Sequence, residues 1–355
     1  MDVVINRVDC STGVPASPFL AADVGGTHAR VALMRGVRGG APGGVEVLAY
    51  RKFACADFPG LTELLQTFVC DDLQAPVRHC VLACAGQAVG DEVLGDNLPW
   101  PVRLSQLRRA LALDDVAVLN DFEALGYELE SRSAVGGHHL CGPGVHADGP
   151  MLVIGPGTGL GAAVCLPGAT GGVVLTTEAG QMDFAPNSVR EREILAQLAP
   201  DGGYVEYERI VSGPGLLTLY TALCALHGRT PRLATPAAVT AAAAAGRDAP
   251  AVEAVEIFCA SLGSFAGSLA MAFMATGGVC LAGGFLYAMS DLLERSAFEQ
   301  RFLHGRSAHA LLSRIPVWVT EHGRQGVLGA ARWYLGRGIP GGAAPAHAVA
   351  AGPIT

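Results

Sequence analysis

The chain has 355 residues, half of them hydrophobic and 16% charged, which excludes a disordered polypeptide and provides for two domains with sizeable cores. A formal net charge of -8 argues against a general nucleic-acid-binding role. Lys52 is the single lysine, so no Gly-Lys-Ser/Thr phosphate loop exists, and a Schiff-base mechanism would rest on a residue in the polar-flanked, water-facing "YRKF".

In chain order, "MDVVINRVDC" has no apolar run after a basic patch, so residues 1–17 predict a tail rather than a secretion signal. "PFLAADVG" and "ARVALMR" predict strands flanking a Gly-Gly turn. "LTELLQTFV" predicts a helix, "HCVLACAG" a strand, "LSQLRRALAL" a helix, "DVAVLN" a strand and "FEALGYELE" a helix. "GGHHLCGPG" predicts a loop, because two adjacent histidines and one cysteine make an incomplete zinc set. The ten cysteines include no C-x2-C pair, and their apolar neighbours predict reduced core thiols in a cytosolic protein. "MLVIGPGTG" and "LGAAVCLP" repeat the strand–glycine–strand pattern. From Glu191 the chain reads mostly helical, until "GVCLAGG" and "IPVWVTE" return as strands. Ile257 to Ser290 carries no charged residue; Gly277-Gly278 divides it into a helix and a short strand, which predicts a buried core rather than a membrane span. Residues 339–355, rich in Gly, Pro and Ala, predict a second tail. The alternation as a whole predicts α/β layers.

"DVGGTHAR" ends a strand at Asp23, then turns on two glycines and offers the Thr27 hydroxyl. Backbone N–H groups in such a turn make an anion nest, and Asp23 could hold a hydrated magnesium ion through water. A plain hairpin is the alternative reading. "IGPGTGLGAAV" is not a dinucleotide fingerprint, since Leu160 stands where the last Gly is needed and a strand rather than a helix follows. It reads as a second such hairpin, with Thr158 lying 158 − 27 = 131 positions after Thr27. Asn120-Asp121, at the end of "DVAVLN", is either a helix cap or a carboxylate presented at a strand's carboxyl end as a general base. "LAGGF" supplies a third Gly-Gly turn, suited to backbone packing against a flat ring.

D-x-G-G-T-x-x-R, L-N-D-F, I-G-P-G-T-G-L-G, E-x-G-x-x-D-F-A-P, S-G-P-G-L and A-G-G follow in this order from Phe19 to Leu335. The set resembles the bacterial glucokinase family, in the branch of the hexokinase–actin–Hsp70 superfamily that lacks a zinc motif. The resemblance implies an α/β, two-domain actin-like ATPase (ribonuclease H-like) fold with the ligand cleft between domains. The expected division is a small domain over 18–132, completed by a C-terminal helix near 323–337, and a large domain over 133–322. It implies ATP with Mg2+ and a hexose as ligands, glucose first, with Asp121 as the base. Asp23, Gly25, Gly26 and Thr27 match the first phosphate loop, Gly155, Gly157, Thr158 and Gly159 the second, and Gly283 and Gly284 the adenosine motif. Asn97, Asn120, Asp121, Glu178, Gln181 and Glu208 match sugar-cleft positions. It further implies a cytoplasmic enzyme of carbohydrate metabolism, without nucleic-acid or membrane partners, that forms a homodimer, with Ala237–Ala245 as a candidate surface.

The chain departs from the family in small ways, since "ACAGQAVGDEV" lacks the proline that commonly follows Ala-Gly and His28 replaces a commoner Asn, and in one sugar-cleft motif. Glu-Gly-Gly-His reads Glu178-Ala179-Gly180-Gln181 here. Gln can hydrogen-bond a sugar hydroxyl but cannot carry a proton near neutral pH, and Ala179 adds a β-carbon where Gly permits close approach. Two readings follow: a working hexose kinase, or a glucokinase-like sugar- or nucleotide-binding regulator with weak, absent or altered-sugar activity.

Overall fold

The computed structural model describes residues 17–37, 44–73, 76–95, 98–130, 137–145, 147–168, 172–305, 307–321 and 323–336. Asn97 and the expected tails, apart from Ser17, lie outside these residues, as does much of the expected domain boundary near 132.

The first half contains β1 (Phe19–Val24), β2 (His28–Gly36), β3 (Val45–Ala54), α1 (Leu61–Asp72), β4 (His79–Cys84), β5 (Gln87–Val89), β6 (Glu92–Leu94), β7 (Val102–Arg103), α2 (Leu104–Leu111), β8 (Asp115–Asn120) and α3 (Asp121–Glu130). Five strands form one sheet in the order β3-β2-β1-β4-β8, and β5, β6 and β7 form a small separate sheet. All six residues of β1 are buried because both faces are covered. Leu20, Ala22 and Val24 point toward Leu61, Leu64 and Phe68 of α1 and Leu107 of α2. Phe19 and Ala21 point the other way, toward Ala124 of α3 and a cluster near the chain's end.

The second half contains β9 (His138–Cys141), β10 (Met151–Pro156), β11 (Leu160–Leu166), β12 (Val173–Thr177), α4 (Val189–Leu198), α5 (Gly213–Leu226), α6 (Pro236–Ala244), α7 (Ala249–Ala272), β13 (Gly278–Ala282), α8 (Gly284–Ala288), α9 (Ser290–Arg295), α10 (Phe298–Phe302), α11 (His309–Leu312) and β14 (Val317–Thr320). Its sheet runs β12-β11-β10-β13-β14-β9. Leu152, Ile154 and Leu281 pack on the helical layer that includes Phe258, Leu262 and Phe265 of α7. Met151, Val153 and Cys165 pack on the opposite side against Leu125 and Leu129 of α3. The last helix, α12 (Gln325–Gly336), returns to the first sheet and places Val327, Ala330, Ala331 and Tyr334 beside Phe19 and Ala21.

The two sheets share one plan. A central strand, β1 or β10, has two strands joined by antiparallel pairings on one side and two joined by parallel pairings on the other, and the second sheet adds β9, antiparallel, beyond β14. The sequence echo between Thr27 and Thr158 is the echo of the β1–β2 and β10–β11 hairpins.

The charge-free stretch after Ile257 forms most of α7 and then β13, the buried helix and strand expected of it. By length and composition α7 could cross a membrane; here it is a core helix, with Phe258, Cys259, Leu262 and Phe265 fully buried. "GGHHLCGPG" needs correction. His138–Cys141 is a strand that pairs antiparallel with β14. The segment supplies backbone hydrogen bonds to the sheet edge while both histidine side chains stay exposed, so its polar composition misleads. Among the described residues, no group of three His, Cys, Asp or Glu side chains could hold a metal ion.

Candidate active site

The site collects at strand ends. β1 delivers Asp23 and β8 delivers Asn120, with Asp121 opening α3. Asn120 does cap the helix: its Oδ1 accepts from Phe122 N at 2.8 Å and from Glu123 N at 3.2 Å. Asp121 Oδ1 accepts from the same Phe122 amide at 2.9 Å. The cap and the carboxylate readings therefore coexist, because neighbouring residues fill them.

Asp121 is half-buried, and burial pushes its carboxyl up to about 6. Repulsion from Asp23 adds to the rise, Glu178 adds a little more, and the backbone N–H donors pull against it. Two carboxylates from other parts of the chain, Asp23 and Glu178, thus lie near enough to act on Asp121. A carboxyl poised near neutral pH, still ionised there, is chemically a general base.

The first glycine turn closes with Gly25 N donating to His28 O at 3.1 Å. Cys55 N donates to Thr27 O at 2.9 Å, and the Cys55 thiol reaches Gly25 O at 3.4 Å. The sheet register sets Asp23 opposite Arg30 and Arg30 opposite Lys52. Arg30 Nη1 lies 3.5 Å from Asp23 Oδ2, and this cation, given no role from sequence, faces the buried carboxylate. Strand register was the signal: Arg30 pairs with Asp23 when β1 and β2 close on the turn.

The second turn is tighter. Gly157 N donates to Gly159 O at 2.7 Å, and Gly157 O accepts from Gly213 N at 2.8 Å. Gly213 begins α5, whose Ser212 cap accepts from Gly215 N at 2.9 Å. The "SGPG" motif thereby brings the positive end of α5 beside the Gly157–Gly159 turn. Gly283, after β13, has φ of 145°, a conformation closed to most side chains, and its N–H donates to Thr320 O at 3.2 Å. Gly284 starts α8.

Leu160 ties the remaining candidates together. Its N–H donates to Glu208 Oε2 at 2.7 Å, so one oxygen of Glu208 braces the second hairpin. Its carbonyl abuts Gly180, where any Cβ would collide with it. Gly180 belongs to the 3-10 turn Ala179–Gln181 that follows β12. Ala179 is buried without a positive φ, so its β-carbon is accommodated, and the position that must remain glycine is Gly180. Glu178 and Gln181 are exposed at the two ends of this turn, with Gln181 N donating to Glu178 O at 3.0 Å. Asn97 is not among the described residues; nearby, Trp100 donates its indole N–H to Phe58 O at 3.0 Å.

This duplicated plan is the two-domain actin-like fold of sugar kinases, and the protein is of the hexose kinase class. A solved glucokinase from an Antarctic psychrotroph superposes with a TM-score of 0.75 at 29% identity, covering 89% of this chain and 98% of that one. The "Glucokinase" family profile matches residues 20–336. A glucokinase-like protein from Xylella fastidiosa (strain 9a5c) is 43% identical over 320 residues, 90% of this chain and 95% of its own. A glucokinase from Chromobacterium violaceum is 38% identical over 310 residues, 87% of each chain. The chain belongs to the glucokinase family.

Proposed function

We propose that the protein transfers the γ-phosphoryl group of ATP to the primary hydroxyl of a hexose, glucose giving glucose 6-phosphate. The observation that carries the reading is Asp121, a carboxyl raised to about 6 at the end of edge strand β8, near Asp23 of the first glycine hairpin and next to Phe122, which packs on the second. Asp121 takes the hydroxyl proton as that oxygen attacks the γ-phosphorus in line; the bond to the ADP oxygen breaks and ADP leaves. Amides of the Thr27 and Thr158 turns stabilise the charge on the transferring group, and the Gly283-Gly284 turn takes the adenosine. Asn120, Glu178, Gln181, Glu208 and Asn97 bind sugar hydroxyls.

Mg2+ arrives with ATP. The Asp23 carboxylate, which already faces Arg30, suits a water-mediated contact rather than direct chelation, and a cation there would offset its repulsion of Asp121. When bound, the ion neutralises phosphate charge. The small domain is assigned to 18–132 with the helix near 323–337, and the large domain to 133–322. The enzyme is further assigned to the cytoplasm and to a homodimer.

The test is a coupled ADP-release assay with Mg·ATP and glucose, mannose, fructose or N-acetylglucosamine, on the wild type and Asp121→Asn. Glucose-dependent turnover lost in the variant supports the reading. Turnover confined to another sugar means that the Glu178–Gln181 turn re-specifies the pocket. Folded protein that binds nucleotide without turnover is a regulator, and the reading fails.

A further inference from the structure

Phe122 follows Asp121 directly, and its amide and ring engage opposite sheets. The amide orients Asn120 and Asp121 at the end of β8. The ring lies over Gly155 of β10 and Gly161 of β11, which are cross-strand partners at the base of the second glycine turn. A Cβ on Gly155 would stand 2.8 Å from Phe122 Cζ, and one on Gly161 would fall within the ring's van der Waals envelope. Neither glycine has a positive φ; at Gly161 close approach of the ring is what the missing side chain provides, and at Gly155 the ring shares the space with the Ala282 carbonyl, 2.7 Å from where a Cβ would stand. The same residue therefore holds the carboxylate by its backbone and the hairpin by its side chain.

We infer that Phe122 is a positioning residue whose ring, seated on the Gly155–Gly161 pair, sets the distance between Asp121 and the second phosphate hairpin. The inference rests on the proposed roles of Asp121 and that hairpin. Phosphoryl transfer leaves the protein little covalent chemistry, so alignment of base, hydroxyl and phosphoryl group carries the rate. A misplacement of about 1 Å can cost about 100-fold. Phe122 acts through its two neighbours, so its loss lowers kcat more than it changes ground-state binding.

The experiment measures kcat and both KM values for wild type, Asp121→Asn, Phe122→Leu, Phe122→Ala, Gly161→Ala and the Phe122→Ala/Gly161→Ala double variant, with melting temperatures alongside. Phe122→Ala is expected to lower kcat about 10- to 100-fold with KM values held within about threefold, and Phe122→Leu to fall between it and wild type. Gly161→Ala is expected to lose as much by expelling the ring. Adding it to Phe122→Ala then costs little more, because the clash has gone. If Gly161→Ala alone fails to fold, the double variant is expected to fold. Multiplying losses, a double variant that also fails to fold, or an unchanged kcat in Phe122→Ala overturns the inference. Wild type without turnover, or turnover surviving in Asp121→Asn, overturns the functional reading beneath it. An inactive Asp121→Asn with a normal Phe122→Ala defeats the inference alone.

Discussion

Asp121 shows how one residue combines a cost to folding with a gain in function. Burial and the neighbouring Asp23 both oppose its charge, so its carboxyl rises to about 6. In its proposed role as base it must be ionised, and kcat/KM is therefore expected to fall about tenfold per pH unit below about 6, read from a pH–rate profile. Asp121→Asn is expected to remove about 10²- to 10⁴-fold of kcat. The same substitution removes a disfavoured charge, and its melting temperature is expected to stay level or rise by about 2 °C, checked by calorimetry. The turn at Glu178 makes a different point. Sequence directs attention to Ala179 and Gln181, yet Ala179 fits, and the crowded position is Gly180 against the Leu160 carbonyl. Gly180→Ala is expected to lower kcat/KM at least about 100-fold by displacing the start of β11, whereas Gln181→His, on an exposed side chain, shifts the sugar KM by less than about tenfold. Steady-state kinetics of both variants decide the matter.

At the scale of elements, α3 carries the site on its first turn and couples the two sheets along its length. Ala124 faces the first sheet's cluster, and Leu125 and Leu129 face the second's. Glu128 fixes it to α12 through Arg332, with Nε 2.7 Å from Oε2 and the Glu128 side chain 4% exposed. Desolvation still raises the Glu128 carboxyl against the pull of Arg332, so the pair is no simple gain in stability. Glu128→Ala deletes this short ion pair and leaves a gap between α3 and α12, and it is expected to lower stability by about 1 to 3 kcal/mol in urea unfolding. Much of this frame was legible in the sequence. "DVAVLN" and "FEALGYELE" mark β8 and α3 by their change of period, and the glycine turns mark the two hairpins. What was not legible depends on packing across sequence-distant pieces. Nothing local in "HHLC" announces an edge strand, nothing in "LNDF" shows that Phe122 needs two glycines beyond Ile154, and nothing in "YERIVSGPG" ties Glu208 to Leu160.

Across the whole molecule, the order of the chain differs from the order of the fold. The first sheet is complete by Asn120, but one of its faces is covered only in part, by Ala124 of α3, until α12 arrives from the far end of the chain. α12 buries Val327, Ala330, Ala331 and Tyr334 to 4% exposure or less, and Tyr334 stacks at a tilt on Phe19 with ring centroids 5.1 Å apart. Burying each larger side chain contributes about 1.5 to 3 kcal/mol, so Val327 and Tyr334 together contribute about 3 to 6 kcal/mol, a large share of a domain's net stability of about 5 to 15 kcal/mol. The second sheet has its own helical layer, α4 to α11, and owes α12 no part of its principal core. Ending the chain after Arg324 is therefore expected to unfold the first half selectively. Limited proteolysis should degrade the region around β1 to β8 while a fragment spanning approximately 137–321 persists, and Asp121 should lose its orientation with all turnover. Uniform digestion of both halves would show instead that the second sheet depends on α3, which packs against Met151, Val153 and Cys165, for its remaining face. Uniform resistance would mean that α12 contributes far less than its burial implies. The two failures are distinguishable by which peptides survive, and each assigns the cohesion of the molecule to a different helix.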